Sequence, residues 1–538
     1  MRLVLTTICI VLALPVACVF GAWFGFDESA QAILQHQART VLPGYLGQSV
    51  LLAAGVAVGV TLLGVATAVA VALFRFPGRG VWEWALLLPM AMPAYVLGYA
   101  YTDALQFSGP VQTLLRATFG LQGALWPDVR SLWGAVLLFV LCLYPYVYLL
   151  TRAALGERAV HLLEAARLLG AGLPRRLWTV ALPLARPAVA AGVALALMET
   201  LADYGVGAYF GLTTFTTGIY RAWLTMNDAT AAAQLASFLL LLVALLLALE
   251  RRAQARLRFT AARAGTQGAA ESQAVALRGL PALAAVVVCA LPVLLGFVLP
   301  AAWLVVMLWR EAAANDIGLP LGRFVQWAWS SLRFAALAAL ASTALALALG
   351  FALRRRVAGS WLDALLAAAA RLVSLGYAVP GAVIAIGLLL PFGWLQARWP
   401  GSGAAALFTG TIAGVVFACV VRFSAVALQT VEAGYARLPP SLDDSARLLG
   451  SNPLRLFARV HLPLLRRSAL AAGLLVFVDT MKELPATLAL RPFGSDTLAV
   501  VAYNLARDER LAEASLPSLA IVAVGLLPVV LLARTMGR

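Results

Sequence analysis

The chain alternates between long apolar runs and short polar stretches. Twelve runs are long enough to cross a bilayer, which takes roughly 20 residues, and they are centred near residues 12, 62, 94, 141, 192, 241, 295, 343, 379, 416, 476 and 525. The polar stretches between them are too short to fold around a hydrophobic core of their own. This pattern predicts an all-α polytopic membrane protein whose soluble machinery, if it needs any, is another chain.

Composition agrees with this interpretation. Of the 538 residues, 62% are hydrophobic and 12% are charged, and the mean hydropathy is +0.90. Soluble domains average about 45–50% apolar and about 25% charged residues. The five cysteines form no CxxC pair, and His36, His161 and His461 fall in separate loops, so we predict no structural metal centre.

The formal net charge of +16 bears on topology and on partners. With the N-terminus inside, basic residues concentrate in the segments assigned to the cytoplasm, which is the positive-inside bias. That bias explains the basic composition without a nucleic-acid partner. It also predicts an even number of spans in a cytoplasmic membrane, with both termini on the cytoplasmic side.

Two predicted cytoplasmic segments resemble each other at a spacing of 280 residues. They read "EAARLLGAGLPRRLWTVALPLARP" (164–187) and "DSARLLGSNPLRLFARVHLPLLRR" (444–467). A period of this length, spanning six apolar runs, indicates two homologous halves. Because six is even, both halves keep the same orientation, as in a parallel repeat.

The repeat divides the chain into two six-helix halves. We assign residues 1–250 to the first half and 281–538 to the second, with a polar, arginine-rich cytoplasmic linker at 251–280. The repeated cytoplasmic loops then cover 152–187 and 429–467.

Each repeated loop is predicted to contain a short helix, a turn and a second helix that enters the membrane. A carboxylate at the helix start suits the positive end of its dipole, and a glycine ends the helix. Small residues let another surface approach closely, although an ordinary interfacial loop is the alternative. The residues with these features are Glu164, Ala165, Ala166 and Gly170 in the first loop and Asp444, Ser445, Ala446 and Gly450 in the second.

"EAARLLG", followed thirteen residues later by "LP", resembles the EAA loop of permease subunits of ABC importers. In that family the loop carries a coupling helix that sits in a cleft of a cytoplasmic ATPase. The segments 143–155, 198–223 and 479–504 are similar to ferric-iron permeases of this group. The second loop departs from the pattern, because it begins Asp-Ser-Ala rather than Glu-Ala-Ala.

The resemblance implies a fused permease that moves ferric iron by ATP-driven alternating access. Its partners would be an ATPase, in two copies for two loops, and an extracytoplasmic iron-binding protein. The chain has no GxxxxGK[ST], and Lys482 is its only lysine, so it contains no Walker A phosphate cradle. We therefore expect a transport subunit that is not an enzyme and binds no cofactor, with ATP used by the partner.

Charged residues interrupt two apolar runs at equivalent places. Glu199 and Asp203 are four residues apart, and Asp479 and Glu483 repeat this spacing beside Lys482. The spacing predicts that each pair shares one helix face. Ionisable residues in a span usually face a wet cavity or the bundle interior, and hard oxygens suit a hard cation. We expect these residues to line the substrate path; a place at the membrane interface, or helix–helix pairing, is the alternative.

Two further features concern the spans themselves. The third run of each half carries prolines or glycines, namely Pro89 and Pro93, then Pro380 and Gly381, which predict broken helices on a transport route or at packing contacts. Arg422 lies near a predicted helix end, and we expect it to extend to the cytoplasmic interface.

Other functions stay open at this stage. The same machine could carry thiamine, a polyamine or an inorganic anion. An ion-coupled secondary transporter would use the intramembrane carboxylates as proton relays. A membrane-embedded enzyme is disfavoured, because the sequence shows no paired nucleophile and base and no HExxH.

Overall fold

The protein is a helical membrane protein, as its sequence predicts. The computed structural model describes residues 2–21, 23, 28–255, 275–314, 318–356, 359–403, 406, 408 and 410–536. In that part of the chain, twelve helices are long and apolar enough to cross a bilayer, and one further pair, Arg79–Ala91 and Ala94–Phe119, is bent by 88°. Ten of the twelve predicted runs each correspond to one of these helices, and the run near residue 94 corresponds to the bent pair. The run near residue 379 falls at the break between two span-length helices, Trp361–Ala378 and Gly381–Arg398.

The helices follow the apolar runs in both halves. Those of the first half are α1 (Arg2–Gly21), α2 (Glu28–Thr40), α3 (Leu42–Leu73), α4 (Arg79–Ala85), α5 (Ala94–Leu105), α6 (Pro110–Phe119), α7 (Leu132–Leu168), α8 (Leu173–Arg176), α9 (Leu182–Ala202), α10 (Gly205–Tyr209), α11 (Phe215–Tyr220) and α12 (Ala229–Ala255). Those of the second half are α13 (Leu280–Val293), α14 (Leu299–Ala314), α15 (Leu321–Arg354), α16 (Trp361–Ser374), α17 (Gly381–Arg398), α18 (Ala413–Tyr435), α19 (Ser441–Leu448), α20 (Pro453–Leu456), α21 (Leu462–Lys482), α22 (Pro485–Leu490), α23 (Leu498–Arg507) and α24 (Leu511–Met536).

Irregular turns connect several helices. Two short strands, β1 (Phe74–Arg75) and β2 (Val275–Ala276), pair in parallel. The 3-10 turns are Leu88–Ala91, Gly376–Ala378 and Pro400–Ser402, and the π turns are Leu177–Ala181, Arg221–Thr225, Leu294–Val298 and Phe457–His461.

The chain forms two compact units, and each combines segments from both sequence halves. One unit contains residues 1–37, 218–240 and 320–501, and the other contains 38–217, 241–319 and 502–538. The division of the sequence into halves at 250 and 281 stays a prediction about the repeat. Of its proposed linker, residues 256–274 lie outside the described residues.

The unit built on the first half has a core of α3, α7 and α9. Gly55 and Gly59 of α3 form a GxxxG step, and a Cβ at either position would collide with Val136 or Val140 of α7. Small residues at this spacing let membrane helices approach closely, which gains van der Waals contact in a solvent without a hydrophobic effect. The close contact between α3 and α7 therefore depends on these glycines.

The unit built on the second half repeats this core with α15, α18 and α21. Here Gly350 of α15 faces the ring of Tyr435, and Gly434 of α18 faces Ser468 of α21. Helix α1 packs in the same unit against α16 and α17. Arg2 anchors its start through an ion pair of 2.9 Å with Asp363.

The third run of each half is broken where its prolines predict. In the first half, Leu88–Ala91 forms a 3-10 turn, and α5 begins directly after Pro93. In the second half, α16 ends at Ser374 and α17 begins directly after Pro380. Proline lacks the N–H that would continue the ladder, so both breaks follow from the sequence.

Candidate functional site

Both repeated loops end their helix in the same geometry. The Gly170 N–H donates to the Arg167 carbonyl at 3.0 Å, and the next N–H, of Ala171, donates to the Ala166 carbonyl at 3.0 Å. Gly170 has φ +79°, which is the left-handed glycine of a Schellman cap. Gly450 has φ +76° and the same pair of hydrogen bonds. The prediction that these glycines end the helices is confirmed.

Exposed leucines precede each of these glycines. Leu168 and Leu169 are 90% and 88% exposed, and Leu448 and Leu449 are 89% and 86% exposed. Of the small residues predicted to face a partner, Ala165 and Ser445 are exposed and Ala166 is half-buried. Ala446 is only 8% exposed, so it packs within its own unit and offers little surface to a partner. We call Leu168–Gly170 and Leu448–Gly450 the loop tips.

The two loops approach their tips differently. Helix α7 runs without interruption to Leu168, so Glu164 lies near the end of a long helix, and the expectation that it begins a helix is wrong. Its side chain lies outside the described structure. In the second loop Pro439 and Pro440 separate α18 from α19, which places Asp444 in a first helical turn as predicted. Asp444 is exposed and lies 3.6 Å from Arg447, a contact worth little at a surface.

The intramembrane carboxylates occupy helix breaks. Helix α9 ends at Ala202, and α21 ends at Lys482. Asp203 and Glu483 follow as the C-cap residues with an extended ψ, so the helices do not continue past them. The predicted helix face that each shares with Glu199 or Asp479 stays a prediction. Asp203 and Glu483 each cap the next short helix: Asp203 Oδ1 accepts the Val206 N–H at 2.8 Å, and Glu483 Oε1 accepts the Ala486 N–H at 3.1 Å. Backbone capping at a break removes unsatisfied donors from an apolar environment.

Glu483 also forms a buried ion pair. Arg422 Nη1 lies 2.5 Å from Glu483 Oε2, and the side chains are 7% and 5% exposed. The expectation that Arg422 extends to the interface is therefore wrong. Gly381, at the start of α17, makes room for the pair: a Cβ there would collide with Glu483 Oε1 and lie 3.3 Å from Arg422 Nη1. The proline break of the third run thus packs against the break after α21.

The remaining predicted site residues are half-buried in α9 and α21. Glu199 lies in α9, and Asp479 and Lys482 lie in the last turn of α21. Within the described part of the chain, no group of three or more His, Cys, Asp or Glu side chains is arranged to hold a metal ion. The predicted pairing of Lys482 with Asp479 stays a prediction.

Sequence reasoning missed two functional features. One is the Arg422–Glu483 pair, whose members are 61 residues apart. A lone arginine inside an apolar run was the available signal, since such a charge needs a partner. The other is the capping role of Asp203 and Glu483, which the glycine or proline two residues later, Gly205 or Pro485, could have indicated.

A duplicated helical core with matched loop tips and charged breaks inside the spans is the architecture of a polytopic transport protein. The model of the family described as "Binding-protein-dependent transport system inner membrane component" matches residues 60–259 and 344–537. These matches cover most of the chain, which therefore belongs to this family and carries its domain twice.

Two relatives indicate the range of the family. The chain is 24% identical over 542 residues to the Fe(3+)-transport system permease protein FbpB 2 of Haemophilus influenzae, and the alignment covers 98% of both chains. It is 33% identical over 135 residues to the Molybdenum transport system permease protein ModB of Escherichia coli K12, covering 25% of this chain and 57% of the relative. The chain is a multi-pass permease of an ABC importer, a subunit that works with an ATPase and a substrate-binding protein.

Proposed function

We propose that this permease imports ferric iron, received from an extracytoplasmic iron-binding protein, into the cytoplasm. The observation that carries the proposal is the similarity to an Fe(3+)-transport permease over 98% of both chains. The molybdenum permease is similar over only a quarter of this chain. It supports a second candidate function, import of an inorganic anion.

The loop tips are the docking points for the partner ATPase in this proposal. Leu168 and Leu448 offer apolar surface that fits a cleft, and the left-handed Gly170 and Gly450 fix the direction in which the chain leaves the helix. Because there are two loop tips, two copies of the ATPase would bind. The loop tips and both chain termini lie on the cytoplasmic side in this proposal. ATP-driven movement of the ATPases then displaces the tips and switches the permease between inward and outward access.

The half-buried carboxylates Glu199, Asp203 and Asp479 are proposed to line the substrate path, with Lys482 adjusting the local charge. Their hard oxygens suit a hard cation. Glu483 differs from them because Arg422 already neutralises it at 2.5 Å. Its contribution to the path is to hold the break after α21 in place, and it does not contact the substrate.

The proposal is tested by uptake of radiolabelled ferric iron into iron-starved cells. The strains carry the wild type, a deletion, Gly170→Asp with Gly450→Asp, or Glu199→Gln with Asp479→Asn. We expect the deletion and the loop-tip variant to lose uptake at normal membrane levels of the protein. We expect the carboxylate variant to lose most of it. If the deletion strain keeps its iron uptake and loses molybdenum uptake, the proposed substrate is wrong, and the assignment as an importer stands.

A further inference from the structure

The helix that carries the second loop tip is held by a buried network of charged side chains. Asp443, in the first turn of α19, is 6% exposed. Its Oδ2 accepts from Arg354 Nε at 2.8 Å, and its Oδ1 lies 2.9 Å from His461 Nε2 and 3.3 Å from Arg354 Nη2. Arg354 is the last residue of α15, and His461 directly precedes α21. One carboxylate therefore joins the loop helix to two spans of the same unit.

Further contacts fix both partners of Asp443. Arg354 donates to the backbone carbonyls of Leu438 and Pro439, each at 3.1 Å, in the turn that leads into α19. His461 is 1% exposed, and its Nδ1 lies 3.4 Å from the Tyr435 hydroxyl. Each charged group is thus held by several directional contacts, which is the condition under which a buried polar network is rigid.

The equivalent positions of the first half, 280 residues earlier, are apolar. Phe74, Leu155, Leu163 and Ala181 stand where the second half has Arg354, Tyr435, Asp443 and His461. Leu155 and Ala181 form a buried apolar cluster with Ala185. At these positions the first loop is therefore attached through an unbroken helix and apolar packing, and its ion pair of Arg152 with Glu83 of α4 lies at the start of the loop, away from these positions. The second is attached, past two prolines, through charged hydrogen bonds.

We propose that Asp443, His461 and Arg354 are positioning residues that transmit movement of the second loop tip to α15 and α21. The inference rests on the proposed docking of an ATPase at the loop tips, and it does not depend on which solute is carried. The first loop needs no such device because α7 continues directly into its tip. The proline turn before α19 removes that continuity, and the network restores a stiff connection.

The test is hydrogen exchange of the assembled permease–ATPase complex with and without ATP. The two segments compared are 453–465 and 173–185, which lead from the loop tips into α21 and α9. In the wild type we expect ATP to change exchange in both. In Asp443→Asn we expect the ATP-dependent change in 453–465 to fall at least about threefold while that in 173–185 persists. Bound ATPase per permease should stay the same.

Two further variants keep the result specific. His461→Leu removes the histidine contact of the network and keeps the Arg354–Asp443 pair, so it can be used if Asp443→Asn does not assemble with the ATPase. We expect it, too, to reduce the ATP-dependent change in 453–465 and to keep that in 173–185. Glu432→Gln is the matched control. Glu432 is exposed on α18, one turn before Tyr435, so this substitution removes one negative charge at a place outside the network. It should behave as the wild type.

Each contrary outcome has a separate meaning. Retention of the change in 453–465 in both network variants overturns the inference and leaves ATPase docking intact. An equal loss in Glu432→Gln also overturns it, because the effect is then unspecific. Absence of any ATP-dependent change at either segment of the wild type, with the ATPase bound, overturns the proposed ATP-driven movement of the loop tips, and the inference with it.

Discussion

Arg422 and Glu483 form an ion pair inside the membrane-embedded core of one unit, with Nη1 and Oε2 2.5 Å apart. The residues 280 positions earlier are Cys142 and Asp203, so the first half has a carboxylate at this break but no arginine at the matching place. The two breaks are therefore capped alike and charged differently. A duplicated fold here carries unequal electrostatics in its two halves.

Removal of one partner should leave an unpaired charge in a low-dielectric environment. We expect Arg422→Met to lower the free energy of unfolding by about 3–5 kcal/mol. Arg422→Met combined with Glu483→Gln should cost less than the sum of the single changes, because no buried charge remains. Thermal unfolding of the four proteins in detergent measures this coupling. Strictly additive effects would show that the pair does not interact energetically.

A methyl group at Gly381 should disturb the same pair. The added Cβ collides with Glu483 and lies 3.2 Å from the Ala486 nitrogen, and overpacking of this kind costs about 1–3 kcal/mol. Gly393→Ala is the matched control in the same helix, since a Cβ there meets nothing within 4 Å. We expect a lower melting temperature for Gly381→Ala and an equal or higher one for Gly393→Ala.

Two substitutions separate the charge of Asp203 from its capping role. Asp203→Asn keeps an oxygen that accepts the Val206 N–H, whereas Asp203→Ala loses it and should cost about 0.5–2 kcal/mol of stability. If Asp203 also lines the substrate path, Asp203→Asn will unfold like the wild type and yet transport less. Parallel stability and uptake measurements distinguish the two roles. Wild-type uptake by Asp203→Asn would restrict this residue to capping.

The left-handed glycines of the loop tips should resist substitution for a backbone reason. A Cβ at Gly450 meets no other atom within 4 Å, so only its φ of +76° opposes a side chain. We expect Gly450→Ala to weaken ATPase binding through a strain of about 1–2 kcal/mol, and Gly450→Asn to weaken it less, because asparagine tolerates this region. Equal binding by all three proteins, in a pull-down with the ATPase, would remove the tip geometry from the docking argument.

The Asp443 network also predicts a pH dependence of stability. Burial opposes ionisation of Asp443, but hydrogen bonds from Arg354 and His461 outweigh burial and hold the pKa of its carboxyl below the usual value. A depressed pKa in the folded state gives stability that is present above the unfolded pKa of about 3.9 and is lost as pH falls through the folded value. The difference in melting temperature between the wild type and Asp443→Asn should therefore persist at neutral pH and shrink below about pH 4.

Much of this fold follows from local sequence, and much of the site does not. The length of the apolar runs predicted the spans, the prolines predicted the breaks in the third runs, and Gly170 and Gly450 predicted the helix ends. The proline and glycine signals act within one or two helical turns, so they can be read from the local sequence. The ends of α9 and α21 were missed because four-residue spacing cannot show whether the helix continues. The role of Arg422 was missed because its partner is 61 residues away: an arginine inside an apolar run indicates that a partner exists, but a single sequence does not show which residue it is.

Helix α1 has a consequence for how the protein is made. Its backbone at Pro15 lies so close to Gly387 of α17 that a methyl group would not fit between them. At about 5–20 residues per second of synthesis, the ribosome reaches this glycine roughly 20 to 75 s after the proline. Until then the first helix resides in the bilayer without its packing surface, exposed to other helices or to proteolysis. If the gene were divided between residues 255 and 275, α1 and the α17 surface on which it packs would belong to separate polypeptides. Because they are one chain, every copy of α1 is followed by one copy of that surface.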